Sequence, residues 1–211
     1  MSEFADVVRQ RRMTRSFSTR PIPAGLLDEL VDLAARAPSA GKTQGWHLIA
    51  LEGHETARFW DVTMSPARRA GFTWQGLFDA PMILLPFADP GAYVERYAEP
   101  DKAGTGLGAG SDAWPAPYWT IDTSMAVMTL LLGAENEGLG TLFFGVFQRE
   151  AELRASLAVP SGLELLGAIA LGYPAGHPDP VGGAMDQMPA PGRSARRPRR
   201  TPDQIIHRGA W

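Results

Sequence analysis

Ten consecutive residues near the middle of the chain, MAVMTLLLGA at 125–134, are apolar on nearly every side of a helix. They predict a long helix over residues 120–137 with Gly138 as its C-cap, and a helix that is apolar all round is buried at the centre of a fold. A second continuous apolar run, PMILLPFA at 81–88, has the length of a strand and predicts burial on both faces. We therefore expect the core to form around these two segments.

Shorter patterns predict the remaining helices and strands. Ser2 is expected to cap a short helix, and a leucine-rich helix is expected after Pro23, stopped by Pro38. The other expected helices cover residues 55–61, 67–77 and 149–157, and the other expected strands cover residues 46–51, 141–147 and 165–172.

Residues 89–117 interrupt this periodicity. Glycines alternate at positions 104, 106, 108 and 110, and Tyr93, Tyr97 and Trp114 lie in the same segment. A long segment without its own periodicity is often a lid or a binding loop, in which glycines give mobility and aromatic rings give flat stacking surfaces. The alternative is that the segment packs on the surface of a dimer.

The composition excludes several classes of site. The 211 residues contain no cysteine, which excludes disulfides, cysteine nucleophiles, iron–sulfur clusters and thiolate zinc sites. The 4 histidines show no metal-ligand spacing, so we expect no metal. No apolar stretch approaches the roughly 20 residues of a membrane span, and the N-terminus lacks the apolar region of a signal peptide. We expect a cytoplasmic protein without membrane association.

Arginines crowd both ends of a chain whose net charge is −3, a charge that argues against general nucleic-acid binding. The planar guanidinium group suits phosphate, so the two clusters predict local anion sites. For the C-terminal cluster, a solvated basic arm is the alternative. The clustered residues are Arg9, Arg11, Arg12, Arg15 and Arg20, and Arg193, Arg196, Arg197, Arg199 and Arg200.

Two familiar catalytic patterns find no support. Gly104, Gly106 and Ala109 fit the spacing of a dinucleotide-binding fingerprint, but no predicted strand precedes them and no helix N-terminus follows. The chain also lacks the G-x-S-x-G elbow of a serine hydrolase. Rossmann-type binding and hydrolytic triads are therefore not expected.

Four segments, taken together and in order, resemble the FMN-dependent nitroreductase family. RRMTRSF at 11–17 places three arginines within five residues, and APSAGKTQGW at 37–46 offers small side chains and backbone donors. YWTIDTSMAVMTLLLGAENEGLGTLFFG at 118–145 is similar to the central helix and following strand of the family, and RRTPDQIIHRGAW at 199–211 is similar to its basic C-terminal element. The resemblance covers most of the chain except the segment 89–117.

The resemblance implies an α+β, nitroreductase-like fold in which helices flank a central, mostly antiparallel sheet. It implies a single domain over residues 1–211, with 89–117 as a lid-like insertion. It also implies a homodimer that exchanges the C-terminal arm, residues 173–211, and holds FMN between its subunits. NAD(P)H is the expected electron donor.

The resemblance also implies roles for individual basic residues. Arg11 and Arg12 would contact the phosphate and ribityl end of FMN, and Arg199 and Arg200 would grip the phosphate. Arg15 would lie near the N1/O2 edge of the flavin, where negative charge develops on reduction.

Small residues and backbone groups complete the implied site. Pro38, Ser39 and Ala40 would lie along the flavin ring, Gln44 would reach the ribityl chain or ring edge, and the strand at 143–145 would turn a backbone N–H toward N5. No side chain is assigned as catalytic, because the flavin carries the chemistry while Arg15 and Gly145 tune it. The implied cofactor-binding positions are Arg11, Arg12, Met13, Arg15, Pro38, Ser39, Ala40, Lys42, Gln44, Phe143, Phe144, Gly145, Arg199 and Arg200.

Several positions depart from the family pattern. Met13 stands where the family often has a phosphate-binding serine, Lys42 where asparagine is usual, and Gly45 where a proline precedes tryptophan. Gly145 takes a position that is acidic in some members. These departures indicate a divergent branch.

The implied activity is FMN-dependent reduction of nitroaromatic, quinone or related conjugated acceptors by NAD(P)H in a ping-pong mechanism. One alternative is another flavin enzyme on the same fold, which fragments flavin, removes halide or takes hydride from a deazaflavin. The other is a non-enzymatic domain whose basic tail binds nucleic acid or a partner.

Overall fold

An antiparallel sheet forms the middle of the fold. Its strands lie in the order β1-β2-β5-β3, and the short β4 pairs with the last two residues of β2. Every residue of β2 is buried, as its continuous apolar run predicts. The strands are β1 (Trp46–Glu52), β2 (Met82–Ala88), β3 (Gly140–Phe144), β4 (Glu164–Leu165) and β5 (Ala168–Gly172).

Helices cover both faces of this sheet, which confirms the predicted fold class. Over residues 3–176 the α-helices are α1 (Phe4–Gln10), α2 (Leu26–Ala34), α3 (Thr56–Thr63), α4 (Pro66–Ala70), α5 (Pro90–Ala98), α6 (Tyr118–Asn136) and α7 (Glu150–Ser156). None of the helices in the described part of the chain is long and apolar enough to cross a membrane.

Alternate side chains of β2 point into two separate cores. Ile83 and Leu85 pack with α3 and α7 on one face. Leu84 packs with α2 and α6 on the other face. Because side chains alternate across a strand, a strand that is apolar at every position requires both layers.

The computed structural model describes residues 3–176 and 198–210, so Ser2, Trp211 and the arginines at 193, 196 and 197 lie outside the described residues. The chain divides into two units, Met1–Ala175 and Gly176–Trp211. In the second unit, a 3₁₀ turn over Pro202–Gln204 begins with a capping box at Thr201. The predicted exchange of the C-terminal arm stays a prediction.

Most predicted elements are confirmed to within a few residues, but three differ from the prediction. Instead of a helix over 67–77, α4 ends at Ala70 and a 3₁₀ turn follows at Gln75–Leu77. The strand predicted over 165–172 is divided at Gly167, whose φ is +148° and whose added Cβ would lie 2.6 Å from the carbonyl oxygen of Phe144. The strand predicted over 141–147 ends early, at Phe144.

Residues 89–117 contain a helix and several short turns, although their sequence shows no periodicity. Asp89 caps α5 by accepting a hydrogen bond from the backbone N–H of Ala92 at 3.1 Å. Short 3₁₀ turns follow, and the indole N–H of the buried Trp114 donates to the carbonyl oxygen of Leu107 at 3.0 Å. The segment therefore folds back on itself and on α5.

The contact between Gly108 and α5 predicts a measurable packing constraint. A Cβ at Gly108 would lie 2.6 Å from the backbone of Ala98, whereas a Cβ at Gly104 would meet nothing within 4 Å. We expect Gly108→Ala to lower the free energy of unfolding by about 1–3 kcal/mol, because the backbone has to shift. The matched control Gly104→Ala should leave it unchanged or raise it by about 0.4–1 kcal/mol. Urea unfolding of both variants measures the difference, and equal stabilities would contradict the close packing.

Candidate functional site

The arginine-rich segment lies against the beginning of β3. Met13 forms a parallel β-bridge with Thr141, and the backbone N–H of Thr14 donates to the carbonyl oxygen of Thr141 at 2.8 Å. Gly140 is required beside it, because a Cβ there would clash with the side chain of Thr14. The backbone that carries the arginines is thus fixed to the edge of the sheet.

The three arginine side chains of this segment have different surroundings. Nη1 of Arg11 is buried without a hydrogen-bond partner among the described residues. Arg12 is exposed and donates to the carbonyl oxygen of Arg9 at 2.6 Å. The guanidinium carbon of Arg15 lies 5.2 Å from the ring centroid of Trp74, within range of a cation–π interaction.

The unpaired Arg11 nitrogen is the clearest chemical signal in the site. A buried charged donor without a partner is destabilising, and such a group is expected to have a partner that the protein alone does not supply. A guanidinium group fits a phosphate or carboxylate through parallel N–H donors. Arg11 is therefore suited to hold an anionic ligand.

The second segment forms a tight turn between α2 and β1. The hydroxyl oxygen of Ser39 accepts a hydrogen bond from the backbone N–H of Gln44 at 3.0 Å, and the side-chain amide of Gln44 donates to the carbonyl oxygen of Ala35 at 3.0 Å. Lys42 and Gln44 have φ values of +55° and +54°, in the left-handed region. With Pro38, these residues line an open cleft of about 610 Å³.

Asp122, which sequence reasoning missed, holds this turn from behind together with Tyr93 of the segment 89–117. Oδ2 of Asp122 accepts hydrogen bonds from the backbone N–H of Ala40 at 2.7 Å and from the hydroxyl of Tyr93 at 2.8 Å. The available signal was Asp122 itself, the only charged residue between Tyr118 and Ala134. Its partners lie 82 and 29 residues away, so no local pattern could have identified them.

At the end of β3 a ligand would meet backbone atoms, because the phenylalanine side chains of the strand pack inside the protein. Phe144 stacks on Trp60 with ring centroids 6.0 Å apart and planes 4° apart, and Phe143 packs with the α2 and α6 side of the sheet. Gly145 follows and is exposed. The backbone after Phe144 is therefore accessible to a ligand.

The structure does not bring the two segments together within one chain. Met13 lies beside Thr141, which shares a row of the sheet with Glu52, whereas the turn at 38–44 leads into Trp46 at the other end of β1. Since β1 and β3 are opposite edges, three strand spacings of about 4.8 Å place them about 14 Å apart, and the six residues of β1 add about 20 Å along the strand.

The remaining candidates lie in the second unit or concern metals. Arg199 and Arg200 are exposed residues of that unit. Within residues 3–176 and 198–210, no group of three or more histidine, aspartate or glutamate side chains could hold a metal ion.

Comparison with known proteins identifies a family. The sequence model described as Nitroreductase family matches residues 8–173. This range contains the arginine segment, the turn at 38–44 and β3.

Individual relatives resemble the chain over most of its length. An NADH dehydrogenase of Thermus thermophilus is 31% identical over 185 residues, which are 80% of this chain and 86% of that protein. A 4-nitrobenzoate reductase of a Nocardioides species is 28% identical over 204 residues, covering 83% and 82% of the two chains. A protein of Exiguobacterium sibiricum, crystallised with FMN, has the same fold, with a TM-score of 0.63 and 19% identity. The match covers 85% of this chain and 92% of that chain.

Because Nη1 of Arg11 is buried without a partner among the described residues, we expect phosphate to stabilise the protein through this side chain. Inorganic phosphate at ten times its Kd should add about 1.4 kcal/mol to the free energy of unfolding of the unmodified protein, freed beforehand of any bound flavin. Arg11→Met should be at least as stable without phosphate, because it removes an unpaired buried donor, but should gain little from the anion. Thermal unfolding with and without phosphate measures both effects.

Arg9→Met provides the control, because Arg9 is an exposed arginine of α1 that is paired with Asp6. This variant should keep the full phosphate response. An equal response in Arg11→Met and Arg9→Met would contradict an anion site at Arg11.

Proposed function

This chain belongs to the nitroreductase family, and on that premise we propose that it is an FMN-dependent oxidoreductase. It passes reducing equivalents from NAD(P)H to nitroaromatic, quinone or related conjugated acceptors. The observation that carries the proposal is the buried, unpaired Nη1 of Arg11, at the position where the family pattern has a phosphate-binding arginine. The names of the relatives, an NADH dehydrogenase and a 4-nitrobenzoate reductase, agree with a nicotinamide donor and a nitroaromatic acceptor.

The residues of the arginine segment fit the phosphate end of FMN. Arg11 offers an unused donor. Nη1 of the exposed Arg12 donates to the carbonyl oxygens of Arg9 and Arg11, and the other N–H groups of its guanidinium can face an anion. Met13 supplies no hydroxyl, so only its backbone can contribute. Arg199 and Arg200 are proposed as additional phosphate donors from the second unit.

The ring end of FMN fits the remaining residues. When bound, FMN supplies the transfer of hydride and electrons between the nicotinamide and the acceptor. Arg15 stabilises negative charge at the edge of the ring, an electrostatic effect of a kind that contributes strongly to catalysis. Ser39, Lys42 and Gln44 form the turn that lines the cleft, and the accessible backbone at Gly145 offers an N–H donor.

A ping-pong mechanism suits this open cleft. The cleft would admit the nicotinamide first and the acceptor after the nicotinamide has left, so the two planar substrates would use the same face in turn. The chain needs no thiol for such chemistry, in agreement with its lack of cysteine. Arg15 and the backbone of β3 would bind and orient the flavin, and no side chain is proposed to transfer a proton.

A homodimer would complete the site. The arginine segment and the turn at 38–44 lie at opposite edges and opposite ends of the sheet, which favours contributions from two subunits to each FMN. In addition, α6 exposes Ile121 and Met128, at 42% and 41%, and the adjoining α1 exposes Phe4. Exposed apolar side chains on packed neighbouring helices are typical of an interaction surface.

Bound flavin is the first expected result. We expect the purified protein to be yellow, to contain about one FMN per subunit and to lose its visible absorbance when NADH or NADPH is added anaerobically. A nitroaromatic or quinone acceptor should restore the absorbance, and steady-state rates should give parallel double-reciprocal plots. A colourless protein that takes up no added FMN would overturn the proposal, and salt-sensitive DNA binding by such a protein would favour the non-enzymatic alternative.

The dimer makes a second prediction, which concerns the outer face of α6. Light scattering at micromolar concentration should give twice the 22.8 kDa mass of one chain. Met128→Glu should give the monomer mass and weaken FMN binding, because a charge in an apolar interface is costly. Met128→Leu keeps an apolar side chain of similar volume and should remain a dimer. A monomeric unmodified protein, or a dimeric Met128→Glu variant with full FMN content, would contradict this interface.

A further inference from the structure

The turn at 38–44 is held by residues of the segment 89–117 and of α6. Asp122 is 6% exposed, and its Oδ2 accepts from the backbone N–H of Ala40 and from the hydroxyl of Tyr93. One carboxylate oxygen thus connects the turn, α6 and α5. No other bond in the described residues links the backbone of Ala40 to α6.

The hydroxyl of Tyr93 is a permanent donor in this contact. Tyr93 is 1% exposed, and its ring meets Trp114 and Trp119 in edge contacts with centroids 5.7 and 6.4 Å away. Burial, and next the hydrogen bond to Asp122, raise the pKa of Tyr93 well above its usual range, so the hydroxyl stays protonated. The aromatic surroundings fix the position of the donor, and the donor fixes the carboxylate oxygen.

A second contact from α5 reaches the next residue of the turn. Nε of Arg96 donates to the carbonyl oxygen of Gly41 at 3.0 Å, while both terminal nitrogens of Arg96 pair with Asp101 at 2.8 Å. A Cβ at Gly41 would lie 2.9 Å from the ring of Tyr97, so the backbone of the turn lies directly against α5. Two successive residues of the turn are therefore held by side chains of two helices, Ala40 by Asp122 of α6 and Gly41 by Arg96 of α5.

We propose that Asp122 is a positioning residue for the cofactor-binding turn, and that it acts together with Tyr93 and Arg96 of α5. The inference rests on the proposed function, because it concerns how tightly FMN is bound. It gives the segment 89–117 a role in ordering the turn. This role is additional to those that its sequence suggests, a lid over the site or packing on the surface of a dimer.

The physical reason is pre-organisation. Lys42 and Gln44 both occupy the left-handed region, which non-glycine residues visit rarely, so a turn without external contacts would sample other conformations. A ligand that binds only one of those conformations has its apparent affinity reduced by the fraction of molecules that adopt it. Contacts that fix the turn in advance remove this loss.

Tyr93→Phe is the central test, because it removes one hydroxyl and keeps the buried ring. In the protein freed of flavin, we expect backbone amides at 39–46 to exchange hydrogen about 3- to 10-fold faster, the range that corresponds to one lost hydrogen bond. The Kd for FMN, measured by quenching of flavin fluorescence, should rise by a similar factor. Asp122→Asn retains an acceptor oxygen and should lie between Tyr93→Phe and the unmodified protein.

Two further variants separate positioning from general destabilisation. Thr123→Val alters the adjacent residue of α6, which is 1% exposed and donates only to the carbonyl oxygen of Trp119 within the helix. It should change the melting temperature without changing exchange at 39–46 or the Kd for FMN. Arg96→Lys leaves the aromatic core untouched and should reproduce the effects of Tyr93→Phe, so the test survives if Tyr93→Phe folds poorly.

The outcomes distinguish this inference from the proposed function. Faster exchange at 39–46 together with weaker FMN binding, in Tyr93→Phe and Arg96→Lys but not in Thr123→Val, supports the positioning role. Unchanged exchange, or an unchanged Kd, in both α5 variants overturns it even if FMN binds normally. If the unmodified protein binds no FMN, the proposed function fails and the effect on affinity fails with it, whereas the exchange result still decides whether Asp122 orders the turn.

Discussion

Burial of β2 on both faces is the constraint on which the rest of the fold depends. All seven of its residues are buried, and alternate side chains enter two different cores. The sheet must therefore be covered twice, by α3 and α7 on one face and by α2 and α6 on the other. In this arrangement α6 presents its inner face to the sheet and leaves Ile121 and Met128 outside. A helix that is apolar all round thus has one face satisfied by its own chain and one face that a second copy would cover.

The same topology supports the proposal that two subunits form the site. The strand order β1-β2-β5-β3 puts the strand after the turn at 38–44 on one edge and the strand beside the arginine segment on the other. The arginine segment is attached to its edge by the hydrogen bond of Thr14 to Thr141, whereas the turn leads directly into β1 and is held to α6 by the hydrogen bond of Ala40 to Asp122. In the proposed homodimer, the arginine segment and the turn of one FMN site would therefore come from different subunits.

The sequence predicts those parts of the fold that periodicity encodes. The elements α2, β1, β2 and α6 were expected close to their observed bounds, since their apolar patterns are long and uninterrupted. The prediction of one helix over 67–77 was wrong, because α4 ends at Ala70 although the composition of the segment favours a helix. Helix α5 was missed, although Asp89 and Pro90 form a helix start of the usual kind. Of the site, the arginine segment and the turn were found by their similarity to a family, whereas the contact of Asp122 with Ala40 joins residues too distant for any local pattern.

The contacts of α5 also account for a departure from the family pattern. Asparagine is usual where this chain has Lys42, and asparagine tolerates positive φ better than lysine does. Placing a non-glycine residue in the left-handed region costs roughly 1–2 kcal/mol, so Lys42 and Gln44 together strain the turn. Such strain persists only where the surrounding structure determines the conformation. Here the carboxylate of Asp122 and the guanidinium of Arg96 hold the two residues that precede Lys42. A lysine can therefore occupy this position, because the conformation is imposed from α5 and α6 and does not depend on the preference of the residue itself.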